Sequence, residues 1–315
     1  MRKLAYAIGL LATVVCVWFF AERVASHWSS LRHFPFTLDV VGWLAAATVI
    51  YLGTFVSATA SWRSCLAIFR QRVAFVDCLH VNMISQFAKF LPGNVGQHIG
   101  RVLMMRGYVQ SGTAVVSSII LDMAILAGIA LLLSLLNLPL ALTLLGQHAT
   151  LPQPSSLALA ITAVSTGGMV ALLWRFYPGT RNMIRDFLSS RNIVLSPAED
   201  ACSVLQASLW HVVSFTIGAG AVCCIILGLT HAFPVSYPSI VGAYSLAWLA
   251  GFLLPGAPAG LGVREAVLVL AIGPGVGDET ATVTALLLRV ATTLGDGAAL
   301  ATGLVVRRLR AAQRP

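Results

Sequence analysis

Two breaks in otherwise apolar sequence constrain this chain more than any other feature. The first reads Leu91-Pro92-Gly93-Asn94-Val95-Gly96-Gln97-His98-Ile99-Gly100-Arg101, and the second Leu254-Pro255-Gly256-Ala257-Pro258-Ala259-Gly260-Leu261-Gly262-Val263-Arg264. Pro92 and Pro255, Gly93 and Gly256, and Arg101 and Arg264 each stand 163 residues apart, with no gap. Of the whole chain, 58% is apolar and only 10% charged, against about 25% charged in an average soluble protein. That excludes a soluble domain. Inside a bilayer, helix breakers are tolerated only where the freed backbone faces protein or a water-filled cavity. An arginine at mid-depth costs roughly 2.5–3.5 kcal/mol on insertion scales. A Pro-Gly break that recurs with its arginine therefore predicts a duplicated polar site within the membrane, and transport as its use.

Apolar stretches long enough to span, about 20 residues, lie near 4–21, 40–60, 113–136, 156–174, 201–229 and 280–304. Hairpin one, 76–106, falls between the second and third of these, and hairpin two, 239–273, between the fifth and sixth. Limbs of some 10 to 16 residues are short for full spans, which favours re-entrant half-helices. Arg2 and Lys3, then Arg63, Arg70 and Arg72, then Arg175, Arg181, Arg185 and Arg191, and finally Arg307, Arg308, Arg310 and Arg314 orient the chain by the positive-inside rule. The loop 137–155 has no charged residue and 230–239 only His231, so both belong outside. The expected fold is an all-α polytopic membrane protein with about six full spans plus two re-entrant Pro-Gly helical hairpins. Residues 1–315 form a single transmembrane domain with both termini cytoplasmic. Its halves, about 4–136 and 156–306, start on opposite sides, and are thus inverted repeats whose hairpin tips meet near the midplane, a recurring transporter plan. The loop 175–200 is cytoplasmic, and Ser196-Pro197-Ala198-Glu199 predicts a capping box opening the fifth span. The net charge of +9 sits in short loops, so it is topological and not a nucleic-acid footprint. The six cysteines have no metal or redox spacing.

Hairpin one carries Asn94, Gln97, His98 and Arg101 at spacings that share one helix face. A helix N-terminus beginning near Gly93 would present free amides and partial positive charge to a phosphate. Arg101 is then the principal cation and Lys89 a second. Gly96 and Gly100 allow close approach by a ligand or by another helix. Hairpin two is drier: Arg264 and Glu265 follow Gly260 and Gly262, and being consecutive they do not face each other. Glu265 pairs elsewhere or titrates as a coupling group. Tyr244, Trp248 and Phe252 line the entering limb at helical spacing, which aromatic packing also explains. Asp122, Arg289 and Asp296 fall inside apparent spans. Laying Ser117–Leu126 over Thr284–Thr293 matches Asp122 with Arg289, so a pseudo-two-fold axis predicts an acid–base pair at the centre, functional or structural. No nucleotide-binding motif, metal or cofactor site is indicated.

At these residues the chain resembles the transmembrane region of lysylphosphatidylglycerol synthases and its stand-alone relatives. Phe90-Leu91-Pro92-Gly93-Asn94-Val95-Gly96 with Gly100-Arg101 looks like that family's first motif, and Pro255 through Glu265 like its second; the similarity covers residues 4–306. The resemblance implies translocation of a lipid between leaflets of a bacterial inner membrane. Only about ten residues follow the last span, so the synthases' aminoacyl-transferase domain, and with it synthase activity, is not expected. The expected substrate is a phosphate-bearing lipid: an anionic or aminoacylated phospholipid, or a polyprenyl phosphate. A separate lipid-modifying enzyme is a candidate partner, and nucleic acid is not. The alternative is a membrane-embedded enzyme or scaffold subunit in lipid-linked glycan or hopanoid synthesis. Paired carboxylates expected of such an enzyme in an outer loop are absent, since Glu22 and Asp39 are widely spaced.

Overall fold

The computed structural model describes residues 38–90, 96–137, 197–253 and 258–312, together with Trp18, Glu22 and Ala25. The expected first and fourth spans (Trp18 apart), most of the loop 175–200, and Pro92, Gly93, Asn94, Pro255 and Gly256 lie outside the described residues. Every described element is helical. α1 (Leu38–Ile68) is followed by α2 (Phe75–Gln86), which runs into a 3₁₀ turn, Phe87–Phe90, and then by α3 (Gly96–Met105) and α4 (Gly112–Ser134). The second half has α5 (Pro197–Thr230), α6 (Tyr237–Leu253), a 3₁₀ turn at Pro258–Gly260, α7 (Val263–Val276) and α8 (Asp278–Ala312).

α1, α4, α5 and α8 are long and apolar enough to cross a membrane, and they coincide with the second, third, fifth and sixth expected spans. α1 outruns its expected end at residue 60. Its 31 residues reach about 46 Å at 1.5 Å per residue, well beyond a hydrocarbon core of about 30 Å. The extra turns carry Arg63, whose Nε donates to the Val73 carbonyl at 3.1 Å. The helix stops where Arg70 turns left-handed at φ 57°, and α5 stops likewise at His231, φ 51°. α5 opens on Pro197, whose missing N–H is no loss at the first helical position.

α1 packs most extensively on α5, and the two run antiparallel, since Asp39 meets His231 at one end (4.0 Å) and Arg70 meets Asp200 at the other (3.7 Å). Connectivity then sends α2 off from the Arg70 end and α6 from the His231 end. Each hairpin also returns to the end it left. The Gln110 amide after α3 donates to Gln71 Oε1 before α2, at 3.2 Å. Val235 before α6 packs on Gly275 near the end of α7, too closely to admit a Cβ. α2 lies against α8, α6 lies against α4, and the two 3₁₀ turns touch. The limbs, of 12, 10, 17 and 14 residues, measure about 15–26 Å, so none matches the full core thickness.

Beside an apolar core, the burial pattern departs from that of a soluble protein in two ways. Val49, Val56, Ile120, Leu131, Leu209 and Leu294 are exposed, while Ser61, Lys89, Arg101, Asp122, His211 and Asp296 are buried. An apolar exterior around an apolar core that holds a buried polar cluster suits lipid as the surrounding solvent. Basic residues gather at one end of the bundle: Arg63, Arg70 and Arg72 around the end of α1, and Arg307, Arg308 and Arg310 on α8, which Arg310 ties to Asp77 at the start of α2 (3.7 Å).

Candidate functional site

α3 turns Gln97, His98 and Arg101 inward, at i, i+1 and i+4 of one face, and leaves Ile99 and Leu103 exposed on the other. Arg101 is held from three sides. Its guanidinium lies 3.8 Å from Asp122 on α4, donates to Asn82 Oδ1 on α2 at 2.5 Å, and sits over the Trp62 ring at 5.0 Å. Asn82 is itself fixed by donating to Thr59 (3.0 Å), and Trp62 by donating to Ser118 (3.1 Å). Asp122 accepts from Ser61 at 2.7 Å and lies 2.9 Å from His211 Nε2 on α5, which in turn is 2.7 Å from Ser61 Oγ. The glycines of this hairpin serve its own packing. A Cβ on Gly96 would fall 2.5 Å from the Ala88 carbonyl oxygen, and one on Gly100 3.1 Å from Ser85 Cβ. They bring limb to limb.

Lys89, in the tip of hairpin one, forms a 2.7 Å ion pair with Asp296 of α8; both are buried. Tyr51, midway along α1, donates to Asp296 at 3.0 Å and accepts from Lys89 at 3.4 Å. Gly295 makes room for the Tyr51 ring. Lys89 is thus engaged by protein.

Hairpin two is built differently. Gly260 and Gly262 adopt φ 69° and 78°, a region that costs other residues strain, and so turn the chain into α7. Gly251 and Gly260 also form a channel for the Arg264 side chain: a Cβ at Gly251 would lie 2.6 Å from Arg264 Cγ, and one at Gly260 2.8 Å from its Nε. The guanidinium rests over Trp248 at 5.6 Å, and Trp248 stacks on Phe252 at 5.0 Å and 14°. Arg264 meets no carboxylate among the described residues, and its Nε has no hydrogen-bond partner there. Neighbouring Glu265 is paired with Arg289 of α8 at 3.3 Å, and Arg289 also donates to the Ala259 carbonyl at 3.4 Å.

The expected Asp122–Arg289 pair does not form. Each residue is claimed within its own half by the second limb of the preceding hairpin: Asp122 by Arg101, Arg289 by Glu265. Equivalent positions carry opposite signs because each complements its own hairpin, and not because they meet across an axis. Among the described residues, two buried contacts between ionisable groups join the halves: Lys89–Asp296 at 2.7 Å and His211–Asp122 at 2.9 Å.

These groups surround one cavity, with about 1020 Å³ of space free of protein atoms, the open space at its mouth included. Lys89, Gln97, His98 and Arg101 come to it from hairpin one, Asp122 and His211 from α4 and α5, and Tyr244, Trp248, Phe252 and Arg264 from hairpin two. A smaller cavity of about 440 Å³ lies beyond Arg264 and Trp248, walled by Glu265 and Arg289. Tyr51, Ser61, Asn82 and His211 are not among the residues singled out by charge or motif in the sequence. A histidine deep in the apolar run 201–229 was the signal that could have found the last of them.

No curated protein matches the chain. The sequence model of one family, the lysylphosphatidylglycerol synthase TM region, matches residues 6–298. That match takes in both hairpins and all the described long helices but the end of α8. Together with a polar cavity enclosed by an apolar helical exterior, it identifies the chain as a member of the lysylphosphatidylglycerol synthase TM region family, membrane proteins of lipid-related function.

Proposed function

We propose that this protein moves a phosphate-bearing lipid between membrane leaflets, binding its headgroup in the cavity between two re-entrant hairpins of an inverted repeat. The basic end of the bundle faces the cytoplasm of a bacterial inner membrane. One observation carries the proposal: Arg264 projects to the cavity with no acidic partner among the described residues. An uncompensated cation within a membrane is costly, and a structural role would pair it, as Lys89, Arg101 and Arg289 are paired. An anionic ligand resolves that cost. Arg101, 3.8 Å from Asp122, is the second cation that a headgroup can reach, on the opposing hairpin. Because the hairpins start at opposite ends and meet at their tips, a headgroup held between them can be offered to either side by shifting one hairpin against the other. The carboxylates around the cavities are each engaged by a cation, which favours a transporter over an enzyme that needs a free acid or base.

The test uses purified protein in liposomes carrying a trace of tail-labelled fluorescent phosphatidylglycerol, with translocation followed by quencher accessibility. Wild type is expected to equilibrate the label, and Arg264→Gln to slow it by at least roughly tenfold, the scale of a lost charge-assisted contact. Wild-type protein that moves neither phosphatidylglycerol nor a polyprenyl phosphate, with or without an ion gradient, rejects transport in favour of a scaffold or enzyme subunit.

A further inference from the structure

Resting on the lipid-transport reading, we infer that the cavity accepts a headgroup with a phosphodiester and free hydroxyls but no ammonium group, and so discriminates against the aminoacylated lipid after which its family is named. The charges on the walls decide this. Around the two cavities stand four cations, Lys89, Arg101, Arg264 and Arg289, and three carboxylates, Asp122, Glu265 and Asp296. Each carboxylate is committed: Asp296 to Lys89 and Tyr51, Asp122 to Arg101, Ser61 and His211, and Glu265 to Arg289. Among the described residues the surplus is one positive charge, on Arg264.

A phosphate monoanion cancels that surplus. An ammonium group adds to it and meets, among the described residues, only carboxylates already paired with a cation, so it must share or break a buried ion pair or remain unpaired in a low-dielectric site. Trp248 is a poor substitute, because its ring already carries Arg264 at 5.6 Å and stacks on Phe252 at 5.0 Å. Besides Arg264 Nε, the buried atoms on cavity residues without a hydrogen-bond partner among the described residues are Arg101 Nε and Glu265 Oε2, on side chains already paired through other atoms, and Gln97 Oε1, His98 Nδ1 and His211 Nδ1, on side chains with no fixed charge. Groups of this kind hydrogen-bond hydroxyls. Glycerol or sugar hydroxyls beyond the phosphodiester fit them.

Three lipids with the same phosphodiester and acyl chains isolate the effect: phosphatidylglycerol (anionic), phosphatidylethanolamine (zwitterionic) and lysylphosphatidylglycerol (net cationic). Two readouts are taken on the full chain, translocation in liposomes and the rise in melting temperature when each lipid is added in detergent. Both should fall in that order, with phosphatidylglycerol ahead of lysylphosphatidylglycerol by roughly tenfold in rate, about one unpaired charge. Arg264→Lys should preserve the order, and Arg264→Gln should compress it to within about twofold. Lysylphosphatidylglycerol moving and stabilising as well as phosphatidylglycerol overturns the inference and leaves transport standing. No lipid moving overturns transport, and the order of melting temperatures still decides the headgroup. Soluble glycerophosphoglycerol stabilising the protein as strongly as phosphatidylglycerol overturns the lipid source and points to a free phosphodiester.

Discussion

The two hairpins share a break, a spacing and an arginine, yet they treat that arginine in opposite ways. In the first, Arg101 is pinned by Asp122, Asn82 and Trp62, and the glycines close limb on limb. In the second, the glycines form a channel for Arg264, aromatic rings replace acids, and the head of the side chain has no acidic partner among the described residues. Lys89 has its counterpart 163 positions on in Phe252, and Gln97 in Gly260. The two hairpins share a sequence pattern and differ in electrostatics. One hairpin became the tied half of the site and the other its open cation. A site with both arginines free would repel itself, and one with both neutralised would have nothing left for an anion.

That contrast is broken most forcefully at the tie between the halves. Lys89→Met strands Asp296 in the interior, where an orphaned partner of a buried pair costs about 3–5 kcal/mol. Loss of that size should appear as a collapse of the folded fraction in a denaturant titration of the detergent-solubilised protein. Adding Asp296→Leu removes the stranded charge and should recover most of the loss. A single variant as stable as wild type would show that Lys89–Asp296 does not join the halves.

Arg101→Gln tests the tied arginine at a smaller scale. Asp122 keeps Ser61 and His211, so the expected cost is about 1–3 kcal/mol, that of losing a charged hydrogen-bond partner. Replacing Asp122 by Asn in the same protein should add less than the two separate losses, since both remove one interaction. Strict additivity in that double-mutant cycle would mean that the 3.8 Å contact carries no coupling.

Much of this was legible in the sequence, for identifiable reasons. Pro-Gly in apolar surroundings placed both breaks, and apolar length placed α1, α4, α5 and α8, because backbone satisfaction in lipid leaves few alternatives. Helix ends were less legible: α1 and α8 run past the bilayer through Arg63 and Arg307, where charge marks the edge of the membrane without stopping a helix. Partner choice was not legible at all. The offset that matched Asp122 with Arg289 says nothing of contact, whereas pairing depends on which limb each residue faces. His211 and Tyr51 escaped notice because only formal charges were weighed, though both bond to the buried carboxylates that set the local field.

The smallest expected effect on stability is the most discriminating. Arg264→Gln removes a buried cation that has no acidic partner among the described residues, so no stranded carboxylate remains. The loss is confined to stacking on Trp248, about 0.5–1 kcal/mol for a cation over an aromatic ring, and is offset by relief of the desolvated charge. The variant should therefore melt within about 1 kcal/mol of wild type, on the stable side if anything, while losing lipid movement, as expected where function retains a group that folding alone disfavours. Gly251→Ala gives the complementary case. It keeps the charge but puts a Cβ 2.6 Å from Arg264 Cγ, so it should impair transport by displacing the guanidinium with little change in composition. Equal melting temperatures with transport lost in both variants would assign Arg264 to the ligand. A sharp fall in stability for Arg264→Gln alone would mean that the second arginine is as structural as the first, and the difference between the hairpins would disappear.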